Sequence, residues 1–136
     1  MDDYHATMID HLNLAVSDTD RSRAFYTAAL GSIGIDELLN IEPDRTESGG
    51  KMVGYGRGVK PFFWILDNKR VGEGTHVAFA VGTRAEVEAF YEAALGAGGA
   101  DNGAPGLRPE YHENYYGAFV LDPDGVNVEA VCHDPG

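Results

Sequence analysis

Two stretches of this chain are near copies of each other. Residues 11–31 read HLNLAVSDTDRSRAFYTAALG, and residues 76–96 read HVAFAVGTRAEVEAFYEAALG. Laid over each other at a constant offset of 65, with no gap, ten of the 21 positions are identical. The identities include the leading histidine, the Ala-Val that ends an apolar run, and the closing Ala-Phe-Tyr-x-Ala-Ala-Leu-Gly. A duplication on this scale decides the architecture before any local propensity is weighed. Two copies of one sequence fold the same way twice, and each must bury what it cannot cover alone.

Each copy reads as a strand followed by a helix. Leu12, Leu14 and Val16 alternate with Ile9, His11, Asn13 and Ala15, which gives one apolar face and one face carrying a His and an Asn. Those two polar side chains need partners or a cavity. Ser17 and Asp18 supply an N-cap, and Asp20 adds charge to the first turn. Ala24, Phe25, Ala28 and Ala29 form part of an apolar stripe, and Gly31 is the expected left-handed stop. Residues 35–41 read as a short strand, 43–50 as a polar loop, and 51–57 and 61–66 as two strands joined across Gly56-Arg57-Gly58. Phe62, Trp64 and Leu66 share a face of the last strand. Residues 1–7 read as a flanking segment, with the first strand starting near Met8.

The pattern restarts at Gly74. Val77, Phe79 and Val81 face the core, while His76, Ala78 and Ala80 face the other side. Thr83 with Glu86 is a capping box, which starts the second helix at Arg84 and ends it at Gly96. The glycine-rich residues 97–106 read as loop, with a strand edge expected only after it. Residues 115–122 and 126–133 form a closing hairpin across Asp122-Pro123-Asp124-Gly125, a type I turn sequence. Asn127, Glu129 and Val131 share a face of the final strand. The expected fold is therefore α+β, a single domain over 1–136. It holds two pseudo-symmetric βαβββ modules, 8–70 and 74–133, that form a curved mixed sheet around a cleft with the helices outside.

Composition excludes several classes. At 136 residues the chain is one domain by length, enough to bury roughly two-thirds of its unfolded surface. A net charge of −12 argues against nucleic acid and anionic membranes as partners. No apolar run approaches the ~20 residues of a membrane span, and no signal peptide is visible. The single Cys132 fits a reducing, cytoplasmic setting and reads as a buried small side chain.

The offset also carries the comparison beyond the helices, since Trp64 and Glu129 are separated by the same 65 residues as His11 and His76. Two imidazoles and one carboxylate are the ligand set of a facial triad, suited to Fe(II), Zn, Mn, Ni or Co. The bland alternative is a polar cluster lining an organic-ligand site. Tyr111, His112, Tyr115 and Tyr116 precede the last hairpin and are able to supply acid-base groups. Their alternative is a surface aromatic patch. Arg108 and Arg57 are cations suited to an anionic substrate, although scattered arginines are usually solvated.

The segments HLNLAV, FYTAALG, THVAFAV and FVLDPDGVNVEAV resemble the vicinal oxygen chelate superfamily over residues 8–133. That superfamily includes glyoxalase I, bleomycin-resistance-type binding proteins and extradiol dioxygenases. The resemblance implies paired βαβββ modules and a homodimer. It also implies a divalent metal held by His11, His76 and Glu129. The fourth ligand of glyoxalase I falls at Trp64, which cannot bind metal but can wall a pocket with Asn13, Tyr115, Phe119 and Arg108. The dioxygenase signature is met at His112, Asp122, Pro123, Gly125 and Glu129, with Phe119 where a Tyr is expected. The implied function is a metal-dependent lyase, isomerase or ring-cleavage dioxygenase acting on a small molecule chelated through vicinal oxygens. Tyr116 or His112 would be its acid-base groups. The alternative from the same resemblance is metal-free sequestration of a small molecule.

Overall fold

The chain begins each half on a parallel strand pair whose register repeats exactly at the offset read from the sequence. The computed structural model describes residues 9–46, 49–72 and 75–136; the expectations for residues 1–7, for a strand start at Met8 and for a restart at Gly74 lie outside these. The elements are β1 (Leu12–Ala15), α1 (Thr19–Gly31), β2 (Asp36–Ile41), β3 (Met52–Arg57), β4 (Lys60–Leu66), β5 (His76–Ala80), α2 (Arg84–Gly96), β6 (Ala100–Leu107), β7 (Tyr116–Leu121) and β8 (Asn127–Cys132). A 3-10 turn at Pro43–Arg45 interrupts the polar loop after β2. In the first half Leu12 sits opposite Phe63 and Asn13 opposite Trp64; in the second, Val77 sits opposite Val128 and Ala78 opposite Glu129.

The βαβββ order and the α+β class are as expected, with one refinement. The sheet surface is made of two separately hydrogen-bonded leaves, ordered β1-β4-β3-β2 and β5-β8-β7-β6. Their inner edges are β1 and β5. A cavity of about 600 Å³ is lined by Ile9, Asp10 and Leu12 on one side and by all of β5 on the other.

The two helices cover one face of both leaves. On α1 the buried residues are Thr19, Ser22, Phe25, Tyr26, Ala29 and Leu30, and on α2 they are Val87, Phe90 and Ala94. Both sets follow the three-and-four spacing of a helix stripe, and fully burying each large apolar side chain contributes about 1.5–3 kcal/mol. Ala24 and Ala28, assigned to this stripe from sequence, are exposed instead. Tyr26 and Leu30 hold their places because each presents far more apolar area than a methyl group. One core runs through both modules, joining Phe25, Tyr26, Phe63 and Ile65 to Phe79, Phe90, Val120 and Val128.

Tyr26 is also a polar tie between the modules. Its hydroxyl donates to Asp122 Oδ2 at 2.7 Å. Asp122 Oδ1 accepts from the amides of Asp124 and Val126, and Asp124 accepts from the amide and hydroxyl of Ser17. The Asp-Pro-Asp-Gly turn of the second module therefore clasps the start of α1 in the first.

Two local expectations are corrected. Gly31 is the last helical residue, but Ser32 follows it in right-handed geometry, and the left-handed residue is Gly34 at φ 80°. Residues 97–106 are not simply loop, because β6 occupies Ala100–Leu107. Its Gly and Pro residues are tolerated because the strand lies at the outer edge of its leaf, with register shifts around Gly103 and Gly106.

Candidate functional site

Glu129 is the only carboxylate-bearing residue, other than Asp122, that is buried among the described residues; its exposure is 1%. Burying a carboxylate is unfavourable unless its oxygens are matched by partners, and here each oxygen has one close neighbour. Oε1 lies 3.0 Å from Nε2 of His76, and Oε2 accepts from the hydroxyl of Tyr115. The alternation of β8 turns Glu129 away from the helices, and Ala78 opposite it on β5 leaves room for the carboxylate. On the other flank, Gly117 of β7 provides space that a Cβ would take, at 3.0 Å from Oε2.

His76 is fixed on two sides. Its Nδ1 lies 3.0 Å from the backbone carbonyl of Asn127, and its ring stacks on Phe119 with centroids 6.2 Å apart and planes at 25°. A carbonyl can only accept, so Nδ1 carries the proton. Nε2 then faces a second acceptor, the Glu129 carboxylate, although a neutral imidazole has a single N–H. Either a second proton or a cation must lie between Nε2 and Oε1. The donor types fit a divalent metal: an imidazole nitrogen and a carboxylate oxygen are both ligands for such an ion, and here they face each other at 3.0 Å. A His whose other nitrogen is held by a backbone carbonyl is the usual outer-sphere arrangement.

His11 does not join this pair. Its Nδ1 lies 2.7 Å from Asp10 Oδ2, which also accepts from the buried Lys60 ammonium at 3.1 Å. Its Nδ1 is thus the held nitrogen, as in His76, but among the described residues no Glu129 counterpart faces its Nε2. Among the described residues, no group of three or more His, Cys, Asp and Glu side chains is close enough to hold a metal.

The remaining sequence candidates divide into three groups. Phe119 and Tyr115 belong to the His76–Glu129 group, and Arg108 lies with its guanidinium 5.5 Å from the Phe119 ring centre. Trp64 and Asn13 face each other on the first leaf, with the indole packed over Gly54. His112 and Tyr116 lie apart from Glu129. The His112 ring nitrogen contacts the Glu113 carbonyl, and its ring meets His133, which in turn meets Tyr115. Tyr116 turns toward the helix side, where its hydroxyl donates to Glu88 of α2 at 2.7 Å and Arg84 lies over its ring. That hydrogen bond, with partial burial, raises the Tyr116 phenol above its ordinary value. Tyr115 is raised further, by burial first and then by its bond to Glu129, so it remains a donor at neutral pH. Sequence reading missed Lys60 and Asp10 as the support of His11. An Asp beside a His is visible in the sequence, but the Lys that opens an apolar strand gives no such signal.

Comparison with known proteins is informative at the level of the whole chain. The family model of the glyoxalase/bleomycin resistance protein/dioxygenase superfamily matches residues 8–130. The chain belongs to that superfamily. Among solved structures it is similar to a glyoxalase/bleomycin resistance protein from Albidiferax ferrireducens T118, with 27% identity and a TM-score of 0.74 over 95% of this chain and 100% of that one. It is also similar to glyoxalase I from Zea mays, at 26% identity and a TM-score of 0.67. That alignment covers 90% of this chain and 43% of the maize chain, so this superfamily member spans less than half of the larger enzyme. A glyoxalase/bleomycin resistance protein/dioxygenase family enzyme from Burkholderia phytofirmans PsJN, at 21% identity and TM-score 0.67 over 93% of this chain and 98% of that one, shares the fold. No curated protein matches the chain. Among the described residues, no helix is long and apolar enough to cross a membrane.

Proposed function

We propose that this protein is a divalent-metal-dependent enzyme of the glyoxalase and dioxygenase type, acting on a small molecule chelated through vicinal oxygens. His76 and Glu129 of one protomer would hold the ion with His11 of a second copy. The observation that carries this reading is the His76–Glu129 contact at 3.0 Å, in which a ring with its Nδ1 proton already committed meets a buried carboxylate. His11 is assigned as the third ligand because it immediately precedes β1, at the position equivalent to His76, with its Nδ1 held by Asp10; it is drawn from a second copy because within one chain it does not join the His76–Glu129 pair.

When bound, the ion would supply Lewis-acid polarisation of two neighbouring substrate oxygens. The protein's own groups do the rest. The Asn127 carbonyl fixes the His76 tautomer, and Phe119 shields one face of the ring from water. Tyr115 holds the second oxygen of Glu129, so the carboxylate keeps one orientation. His112 and Tyr116, the acid-base candidates, meet the Glu113 carbonyl and Glu88, whereas the Tyr115 proton is committed to Glu129 and makes Tyr115 a positioning residue.

Elemental analysis of protein purified without chelator, followed by calorimetric titration with Zn, Mn, Ni, Co and anaerobic Fe(II), tests the reading. About one ion per chain is expected, and Glu129→Gln should abolish it. A wild-type protein that binds none of the five refutes metal dependence and favours the sequestration reading. Co-refolding His11→Ala with Glu129→Gln tests the shared site: two-fold symmetry puts one intact site in each mixed dimer, so about a quarter of all sites should be regained. Recovery of none from two variants that each fail to bind would place all three ligands in one chain, and metal binding by His11→Ala alone would place His11 outside the site.

A further inference from the structure

The edge strand β6 is shaped around one guanidinium. Its sequence, ADNGAPGL, pairs with β7 only through register shifts at Gly103 and Gly106. Arg108 folds back over the bulged segment, and its Nη2 donates to the Ala104 carbonyl at 2.8 Å. A Cβ at Gly106 would stand 2.9 Å from Nη1, and one at Gly103 would stand 3.3 Å from Nη2. Gly106 therefore leaves space that the guanidinium fills, and Gly103 leaves space shared by the guanidinium and the Phe119 ring, whose Cδ1 would stand 3.0 Å from the added Cβ.

The face on which it lies follows from register. Gly103 sits opposite Phe119, Phe119 opposite Glu129, and Glu129 opposite Ala78. Directly opposed residues share a face, so this row carries the Arg108 guanidinium on the same side as the Glu129 carboxylate. The guanidinium lies over the Phe119 ring, and that ring stacks on His76. Its position is thus held by an aromatic platform and one backbone carbonyl, with most of its five donors uncommitted.

Charge sharpens the point. The chain has 22 acidic residues against 10 Lys and Arg. Arg21 pairs with Asp124 at 3.1 Å and Arg23 with Glu37 at 2.7 Å. Among the described residues, Arg108 has no ion pair with a carboxylate. On so acidic a surface an anionic ligand is repelled unless a local cation receives it.

We propose that the small molecule taken by this face carries a carboxylate beside its chelating oxygens, and that Arg108 is the residue that selects for it. A planar fork stacked on an aromatic ring is suited to bidentate carboxylate recognition, which a lysine reproduces only as a point charge. The proposal rests on the preceding reading that this face binds a chelating small molecule, but not on the metal being present.

Three probes that differ by one carboxylate test it: catechol, 2,3-dihydroxybenzoate and 3,4-dihydroxybenzoate. Each is titrated calorimetrically into zinc-loaded and zinc-free protein. The better of the two benzoates should bind at least about tenfold more tightly than catechol. Arg108→Ala should remove that preference, and Arg108→Lys should keep part of it. Gly106→Ala retains the arginine but fills the space beside Nη1, so it should weaken the benzoate and leave catechol unchanged. The same benzoate-to-catechol ratio in wild type and Arg108→Ala would overturn the proposal, as would a wild type that shows no preference in either form. Failure of zinc to load overturns the metal reading alone, and the zinc-free titrations still decide the role of Arg108.

Discussion

Tyr115→Phe removes one oxygen atom and tests whether Glu129 is held as the structure holds it. In the wild type the phenol donates to Oε2 of a carboxylate whose residue is 1% exposed. Without the hydroxyl, Oε2 becomes a buried acceptor with no side-chain donor. A hydrogen bond to a charged group contributes about 1.5–3 kcal/mol. Tyr115 is only half-buried, so water can partly replace it, and the lower end of that range, about 1.5–2 kcal/mol, applies. Unfolding entropy near 2.1 cal/mol/K per residue gives about 0.29 kcal/mol/K for 136 residues. The melting temperature should therefore fall by about 5–7 °C, measured by scanning calorimetry on metal-free protein. Metal affinity should fall by about 10–100-fold, the usual consequence of losing the group that orients a ligand. Gly117→Ala approaches the same contact from the other side, because its Cβ would stand 3.0 Å from Oε2 and 3.1 Å from Cε1 of Tyr115. It should shift both readouts in the same direction with the hydroxyl still present. A Tyr115→Phe protein that melts within a degree of wild type and binds metal equally well would show that Tyr115 does not hold the carboxylate.

Other expectations follow from the core and from the first module. Tyr26→Phe should lower stability in urea by about 2–3 kcal/mol, because it strips a donor at 2.7 Å from the buried Asp122; a loss under half a kcal/mol would mean that the clasp between modules is not energetic. Burial raises the Tyr26 phenol well above its ordinary value and the Tyr55 phenol to about 12. The fold therefore favours the neutral phenols, a contribution complete below pH ~10 and lost as pH rises through 12, worth up to about 2–3 kcal/mol for Tyr55. Urea unfolding from pH 9 to 12 should show this slope, and Tyr55→Phe should flatten it. Trp64→Glu puts a carboxylate at the position equivalent to Glu129, so chelator competition should show metal affinity raised at least about tenfold, against a stability loss of about 1–3 kcal/mol from the lost indole packing. An unchanged affinity in a folded protein would separate Trp64 from the site.

Much of this fold was legible because the duplication fixes pairings that local propensity does not. The helix bounds Thr19–Gly31 and Arg84–Gly96 differ by the same offset as the strand registers, and that offset led directly to the position of Glu129. What was not legible depended on sites where one residue answers to tertiary neighbours. Ala24 and Ala28 look like stripe residues, yet Tyr26 wins the buried place because its hydroxyl reaches Asp122 in the other module. The segment 97–106 looks like loop by composition, yet its glycines are what allow a strand to bend around Arg108. Tyr115 and Tyr116 are adjacent and chemically identical, and strand alternation alone separates them: one reaches Glu129 and the other Glu88. A shift of one residue in the start of β7 would exchange their roles, which is beyond the precision of sequence boundaries.

The departures from symmetry are where the chemistry lies. In the first module the row across the leaf is Asn13, Trp64 and Gly54; in the second it is Ala78, Glu129 and Phe119. Each row holds one large aromatic side chain, but on different strands. In the first it stands on the last strand and needs a glycine opposite, since a Cβ at Gly54 would come within 2.7 Å of the indole. In the second the aromatic stands on the next-to-last strand, and the last strand is free to carry a carboxylate beside His76. Moving the ring by one strand keeps the bulk of the face while changing what sits next to the histidine. The same move brings Phe119 against both His76 and Arg108, so one ring packs on the imidazole and supports the guanidinium. The first module is left as a wall with one anchored histidine, and the second gathers the carboxylate, the phenol and the cation on a single face.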